Sequence, residues 1–111
     1  MIYVFIDDGT LEIIENINVA RTNYEGIDVE NDVYSFFNEK GIYLKPIFTT
    51  PNIIKKHLFG LFTSIQSGIY ELTEAPNECK ESFEKKLEKN PILSKNEWFK
   101  SIEEIRNQKN T

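Results

Sequence analysis

His57 is the only histidine in the chain, and Lys55 and Lys56 lie directly before it. Any acid–base or nucleophilic chemistry that needs an imidazole must therefore use this residue, and a small hydrolase or nuclease centred on His57 is one hypothesis. Efficient catalysis requires a second positioned group, and the sequence marks none. A surface histidine beside two solvated lysines is the simpler interpretation, so we predict no catalytic residue.

The single cysteine, Cys79, lies near the start of a predicted helix, where the helix dipole favours a reactive thiolate. Four acidic residues within five positions oppose that effect: Glu74, Glu78, Glu81 and Glu84. We therefore interpret Cys79 as unreactive. One cysteine cannot form an intramolecular disulfide, and no cysteine–histidine group has the spacing of a zinc site, so a reducing cytoplasm is the expected compartment.

Asp7 and Asp8 end the first predicted strand, a position at which carboxylates often bind magnesium. Asp8-Gly9 is also a preferred two-residue hairpin turn, which accounts for the pair without a metal ion. The glycines of the chain are scattered and lack the close spacing of a phosphate-binding loop. The sequence thus predicts neither a metal site nor a cofactor.

Acidic residues are concentrated in the N-terminal third of the chain. The net charge of the whole chain is −5, but residues 1–40 carry nine acids and two bases, for a net charge of −7. Such a surface repels phosphates, so direct nucleic-acid binding is not expected. A solvated face is one interpretation, and the other is a docking surface whose acids steer a basic partner towards exposed tyrosine anchors. The second interpretation predicts these partner-binding residues: Asp7, Asp8, Tyr24, Glu25, Asp28, Glu30, Asp32 and Tyr34.

Strand and turn patterns recur in the first half of the chain. Residues 2–7 (IYVFID) and 11–14 (LEII) alternate or cluster β-branched and aromatic side chains around Asp8-Gly9, which predicts an antiparallel hairpin. Residues 33–37 and 42–48 flank an NEKG turn and predict a second hairpin.

Residues 53–66 fit two patterns. Ile54, Leu58, Leu61 and Ile65 have helical spacing, whereas Phe59, Leu61, Thr63 and Ile65 have the alternation of a strand. The interior Gly60 costs a helix about 1 kcal/mol. This cost and the aromatic content favour a strand from about Leu58, with residues 68–74 (GIYELTE) as its partner, but periodicity alone does not decide between helix and strand.

Three helices are predicted from capping residues and apolar spacing. Asn16 is expected to cap a short helix, and Gly26 to end it in the left-handed conformation. The KESFEKKLEKN segment predicts a second helix with Phe83 and Leu87 on one face, stopped by Pro91. A last helix is expected after a capping box formed by Ser94 and Glu97, with a contact stripe of Trp98, Ile102 and Ile105.

These elements predict a single α+β domain over residues 1–111. We expect an antiparallel sheet of four to six strands, with a short early helix and two C-terminal helices packed on one face. With 40% hydrophobic residues the chain can bury a core of that size. No segment approaches the ~20 apolar residues of a transmembrane helix, and the N-terminus lacks the pattern of a signal peptide, so a soluble protein that is not exported is expected.

Residues 25–46 (EGIDVENDVYSFFNEKGIYLKP) follow a first strand that ends in FIDD. In these features, and in its small size and acidity, the chain resembles the immunity proteins of bacterial contact-dependent inhibition and other polymorphic toxin systems. The resemblance covers the architecture and general character of residues 2–48. It implies a cytoplasmic protein that binds one cognate toxin domain, often a nuclease, and blocks its active site or its access to substrate.

We therefore predict a binding protein and not an enzyme. A nuclease must carry a basic cleft, and an acidic inhibitor can associate with such a cleft quickly and tightly. The expected partner is thus a basic toxin protein, with no cofactor, no membrane and no direct contact with nucleic acid. Two alternatives stay open: a hydrolase or nuclease centred on His57, and an adaptor subunit that docks a basic protein without inhibiting it.

Overall fold

A computed structural model describes residues 1–109, so Asn110 and Thr111 of the predicted single domain lie outside the described residues. The strands are β1 (Ile2–Ile6), β2 (Thr10–Ile14), β3 (Tyr34–Asn38), β4 (Tyr43–Thr50), β5 (Ile53–His57), β6 (Phe62–Gln66), β7 (Ile69–Glu74) and β8 (Ile92–Leu93). The helices are α1 (Ile17–Asn23), α2 (Gly26–Glu30), α3 (Phe83–Lys89) and α4 (Ile102–Lys109). This architecture confirms the predicted α+β class. None of the helices within residues 1–109 is long and apolar enough to cross a membrane.

Six of the strands form one sheet in the order β7-β4-β3-β1-β2-β8, and β5 and β6 form a separate two-stranded sheet. Neighbouring strands in the large sheet are antiparallel except β2 and β8, which are parallel. The strand number therefore lies within the predicted range. The sheet is mixed and not purely antiparallel, because the chain passes through α3 before β8 pairs beside β2.

Local turn chemistry sets the register of the two predicted hairpins, β1–β2 and β3–β4. Gly9 and Gly41 supply the left-handed residues of the turns, with φ of +92° and +79°. The side chain of Asp8 accepts a hydrogen bond of 3.0 Å from the backbone N–H of Thr10. In the second turn the side chain of Asn38 accepts two backbone N–H groups, at 2.9 and 3.0 Å. The second turn thus forms as the sequence predicts. The predicted two-residue turn at Asp8-Gly9 is wrong in length, because the pairing of Phe5 with Leu11 leaves three residues, 7–9, in the turn.

β1 is the central strand, and its side chains are buried on both faces of the sheet. On one face lies a core of Ile2, Val4, Ile14, Ala20, Tyr24, Val29, Phe36, Leu44 and Tyr70, which includes residues of α1 and α2. On the other face lies a core of Tyr3, Phe5, Leu11, Ile13, Phe37, Phe83, Leu87, Phe99 and Ile105, which includes residues of α3 and α4. The fold therefore has three layers, with the two C-terminal helices together on one face as predicted.

The predicted early helix is α1, and Asn16 caps it by accepting a hydrogen bond of 3.1 Å from the backbone N–H of Val19. The predicted left-handed role of Gly26 is wrong, because Tyr24 ends α1 in an extended conformation and Gly26 is the first residue of α2. A side chain at position 26 would instead overlap the Asn52 side chain. Close packing is therefore the reason for glycine here.

Of the two C-terminal helices, α3 agrees with the prediction, since Phe83 and Leu87 are buried and the helix ends at Lys89, before Pro91. Its N-cap is Ser82. The predicted start of α4 is wrong. The segment after Pro91 first forms β8, so α4 begins only at Ile102 and the expected capping box does not cap it. Trp98 lies before the helix and is 38% exposed, whereas Phe99 is buried in its place.

The prediction for residues 53–66 is right in type and wrong in pairing. Residues 62–66 form a strand, but their partner is β5, and residues 69–74 pair with β4. The cause is the turn between β5 and β6, in which Leu58, Phe59 and Gly60 all have positive φ, of +51°, +58° and +87°. This turn folds the segment back on itself, so periodicity within one strand carries no information about the pairing.

Asn90 provides a test of how α3 is attached to the sheet. Its side chain is buried, and Nδ2 donates to the carbonyl oxygens of Ile6 and Thr10, at 2.7 and 2.8 Å. We expect Asn90→Ala to lower the free energy of unfolding by about 1–3 kcal/mol, because two partly buried hydrogen bonds are lost, although the carbonyl oxygen of Ile6 keeps the N–H of Gly9 as a donor. The exposed Asn107→Ala in α4 is the control, with a change within about 0.5 kcal/mol. Equal urea midpoints for the two variants contradict this account.

Candidate functional site

Tyr34 begins β3 at the surface, and its ring is held from below by Tyr24. The two ring centroids are 4.5 Å apart, and Phe36 lies 6.3 Å from Tyr34 and 6.0 Å from Tyr24. Tyr34 is half-buried, whereas Tyr24 is 3% exposed and belongs to the core. The expectation that Tyr24 is an exposed anchor is therefore wrong, because α1 and α2 place its ring under Tyr34.

Four carboxylates act on the Tyr34 hydroxyl. Burial raises the pKa of Tyr34, and the negative charges of Asp28, Glu12, Asp7 and Glu25 raise it further. Asp7 is held close to β3 because its backbone N–H donates to the carbonyl oxygen of Val33 at 3.0 Å. We call these four acids together with Tyr34 the Tyr34 site. Three of its acids, Asp7, Glu25 and Asp28, are residues that the sequence predicts to bind a partner.

The other predicted acids are not among the charges that raise the pKa of Tyr34, and each has another partner. Asp8 accepts from the turn at Thr10, as described above. Glu30 accepts a hydrogen bond of 3.0 Å from the side chain of Asn52. Asp32 lies 3.5 Å from the ammonium of Lys80, and both side chains are strongly exposed. The structure thus brings together only part of the acidic set.

Glu12 is the member of the Tyr34 site that the sequence did not single out. It lies in β2 opposite Val4 and accepts a hydrogen bond of 2.9 Å from the hydroxyl of Tyr24. Burial raises the pKa of Tyr24, and this hydrogen bond raises it further. A signal for Glu12 exists in the LEII pattern, because strand alternation places position 12 on the face opposite Leu11 and Ile13.

A cavity of about 210 Å³ adjoins Tyr34, lined among others by Asp32, Tyr43, Cys79 and Lys86. Cys79 is half-buried there, and its thiol lies 3.6 Å from the carbonyl oxygen of Pro76. The lining mixes acids and lysines. Within residues 1–109 no group of histidine, cysteine and acidic side chains could hold a metal ion.

Residues 53–66 project from the body as a two-stranded hairpin, which we call the arm. All residues of β5 and β6 are exposed. Seven large apolar side chains of the arm are exposed: Ile53, Ile54, Leu58, Phe59, Leu61, Phe62 and Ile65. No acidic residue occurs between positions 51 and 70, so the charges of the arm are those of Lys55 and Lys56.

His57 lies on the arm, and its Nε2 is 2.8 Å from the hydroxyl of Ser64 on the neighbouring strand. A histidine next to a serine is the minimal pair for nucleophilic catalysis. A working pair also needs a group that orients the imidazole and donors that stabilise the reacting oxygen. Both side chains are exposed to solvent, and the sequence places no carboxylate within the arm. The geometry therefore supplies a contact between histidine and serine but not the remaining groups that a catalytic site needs.

The base of the arm is fixed by three residues, Gly26, Asn52 and Gly68, which we call the neck. Asn52 Nδ2 donates to the carbonyl oxygen of Gly26 at 3.0 Å, and Asn52 Oδ1 accepts from the N–H of Gly68 at 2.6 Å. A Cβ on Gly68 would overlap the backbone carbonyl of Thr50. The neck therefore ties the arm to α2, the helix that also carries Asp28 of the Tyr34 site.

Comparison of the chain with protein-family models, with curated proteins and with solved structures found no match. The function must therefore be argued from the residues themselves.

The buried tyrosines predict how stability depends on pH. Burial raises the pKa of Tyr3 and of Tyr70 to about 12, and that of Tyr24 is also raised. A tyrosine that keeps its proton more firmly when folded stabilises the protein fully below the unfolded pKa of about 10, and this stabilisation is lost as the pH rises towards the folded pKa. We expect urea midpoints to fall steadily above about pH 10. In Tyr24→Phe, neutral-pH stability should drop by about 1 kcal/mol and the alkaline decline should be shallower. An unchanged slope contradicts this explanation.

The hydrogen bonds of the neck predict that a substitution of Asn52 destabilises the arm and not the rest of the fold. In Asn52→Ala the backbone groups of Gly26 and Gly68 lose their side-chain partner. We expect amide hydrogen exchange in β5 and β6 to accelerate about tenfold while exchange in β1 stays unchanged. Asn77→Ala, in an exposed loop, is the matched control and should leave both regions as they are. Faster exchange throughout the molecule would mean that Asn52 supports the core and not the arm.

Proposed function

We propose that this protein is an immunity-type inhibitor that binds a basic toxin domain in the cytoplasm and neutralises it. The observation that carries the proposal is the Tyr34 site, in which an aromatic ring rests on the buried Tyr24 and the negative charges of four carboxylates raise the pKa of the Tyr34 hydroxyl. Rigid aromatic side chains are frequent hot spots, since they bury a large area at low cost in entropy. The toxin as partner rests on the resemblance described above.

The charge of the site favours a basic partner. Asp7, Glu12, Glu25 and Asp28 contribute negative charge at one place, and the first 40 residues have a net charge of −7. Such a field accelerates association with a positively charged surface and disfavours nucleic acid. A nuclease cleft is built to hold phosphates, so carboxylates can occupy the positions of phosphates and block the substrate.

Binding accounts for the molecule better than catalysis. The best candidate for catalysis is the exposed contact between His57 and Ser64, which lies on the arm and not in a cavity. By contrast, the Tyr34 site has a fixed aromatic centre and a charged rim, the arrangement of a protein-binding surface. An adaptor subunit would use the same surface without inhibiting its partner, so activity of the bound partner distinguishes the two.

Charge reversal within the Tyr34 site tests the binding surface. The wild-type chain, tagged and incubated with lysate of the source organism, should capture a stoichiometric basic protein that high salt releases. With that protein purified, Asp7→Lys combined with Asp28→Lys should weaken binding by at least about tenfold. Glu103→Lys combined with Glu104→Lys, on exposed positions of α4, changes the charge equally and should retain affinity. Equal affinities for the two double variants would exclude the Tyr34 site as the interface.

The captured protein also decides between inhibitor, adaptor and enzyme. Expressed alone it should arrest growth, and co-expression of wild-type chain or of His57→Ala should restore growth. A partner that remains active when bound would mean an adaptor. An activity of the chain itself that disappears in folded His57→Ala would mean a hydrolase.

A further inference from the structure

The arm is a two-stranded sheet that lacks a covered face. β5 and β6 pair with each other from Ile53↔Gln66 to His57↔Phe62, and every residue of both strands is exposed. An isolated two-stranded hairpin is at best marginally stable in water, and a third or fourth strand or a covering layer is needed for stability. The structure of the arm therefore implies that something completes it.

The two edges of the arm differ in charge. β5 reads IIKKH and carries Lys55 and Lys56, whereas β6 reads FTSIQ and has no charged residue and no proline. Lysines on an edge strand discourage pairing with another strand, and an uncharged edge invites it. The edge strand β7 of the large sheet is different, because its edge already has a partner: Arg21 Nε donates a hydrogen bond of 2.9 Å to the carbonyl oxygen of Tyr70. Of the two edges of the arm, that of β6 is the better suited to pair with another strand.

We propose that two copies of this protein pair through the outer edges of β6. The two strands run antiparallel about a twofold axis, which gives a four-stranded sheet in the order β5-β6-β6-β5. Such pairing stops at two copies, because each copy uses its only β6 edge to contact the same edge of the other. The lysines of the two β5 strands end on the outer edges, where they oppose further growth of the sheet.

Distances within such a sheet favour this arrangement over the alternatives. Neighbouring strands are about 4.8 Å apart, so the two β5 strands lie roughly 14 Å from each other. That separation exceeds the screening length of about 8 Å at physiological ionic strength, so the lysines of the two copies repel each other little. Pairing through β5 would instead place Lys55 and Lys56 of each copy next to those of the other.

The exposed apolar side chains of the arm favour association. Its seven exposed apolar side chains range from 37% exposed at Ile53 to 107% at Phe59. Exposed side chains of this size present roughly 100–200 Å² each, so the arm offers on the order of 800 Å². Antiparallel pairing through β6 brings Phe62 and Ile65 next to the partner and leaves the tip residue Phe59 outside the contact, so only part of this area is buried. Shared faces of a four-stranded sheet and new backbone hydrogen bonds along β6 together supply the driving force.

Moving one charge across the arm tests the proposal without changing composition. Lys56 and Thr63 are directly opposed, so Lys56→Thr combined with Thr63→Lys transfers a lysine from the edge of β5 to that of β6. In sedimentation velocity over a wide range of concentrations, the wild-type chain should form a dimer, and the exchanged variant should dimerise at least about tenfold more weakly. Lys56→Thr alone, which leaves β6 uncharged, should dimerise like wild type. Circular dichroism and the urea midpoint verify that all three chains fold.

A cross-linking experiment tests the orientation of the strands. In a Cys79→Ser background, Ser64→Cys places a thiol at the centre of β6, near the proposed twofold axis, and Phe59→Cys places one at the tip of the arm. Oxidation should join Ser64→Cys into disulfide-linked dimers and leave Phe59→Cys unlinked. Preferential linkage through the tip would overturn the antiparallel arrangement.

Other outcomes assign the arm to a different partner or reject the proposal. A chain that stays monomeric at every concentration overturns it, and so does a dimer that is indifferent to the charge exchange or an open series of larger oligomers. A monomer that binds phosphatidylglycerol vesicles but not phosphatidylcholine vesicles would assign the arm to an anionic membrane surface. Asp7→Lys combined with Asp28→Lys should leave the dimer intact, so this proposal can fail or succeed separately from the proposed toxin binding.

Discussion

β1 contributes Ile2 and Val4 to one core and Tyr3 and Phe5 to the other, so both faces of the sheet must be covered. Burial of large side chains on the two faces of one strand is favourable only if helices exclude water from each face. The chain meets this requirement in sequence order, with α1 and α2 on one face and α3 and α4 on the other. The positions of the surface sites follow from this division.

The short helix α2 connects the first core, the Tyr34 site and the arm. Val29 faces the core, Asp28 acts on Tyr34, and Gly26 accepts the hydrogen bond from Asn52 at the neck. A helix of five residues has little stability of its own, so these contacts hold it in place. A partner that presses on Tyr34 therefore contacts the same element that supports the base of the arm.

Features governed by neighbouring residues could be predicted from the sequence. The cap at Asn16 and the turn before Gly41 depend on side chains a few positions away, and both form as expected. The predicted exposure of Tyr24 is wrong because the acids that follow it, Glu25 and Asp28, are typical of a surface, while its burial depends on a helix–sheet contact distant in sequence. Phe99 and not Trp98 was buried for a similar reason: β8 delays the start of α4, and this pairing with β2 has no local signal. For the site, three of the four acids can be recognised in the sequence, but their combined effect on Tyr34, and the part of Glu12, depend on the alignment of β2, β3 and α2.

The Tyr34 site and the arm carry opposite charge although one short helix joins them. Opposite charges would draw the arm of one copy towards the Tyr34 site of another, and salt weakens this attraction as it weakens that of any basic partner. Edge pairing uses backbone N–H and C=O groups, which salt screens little, and needs an edge without charge. Lysines on β5 leave β6 as the only such edge of the arm. In the proposed dimer, the lysines keep β5 unpaired and the free backbone groups of β6 form the pair, so the acidic site remains free for the proposed basic partner.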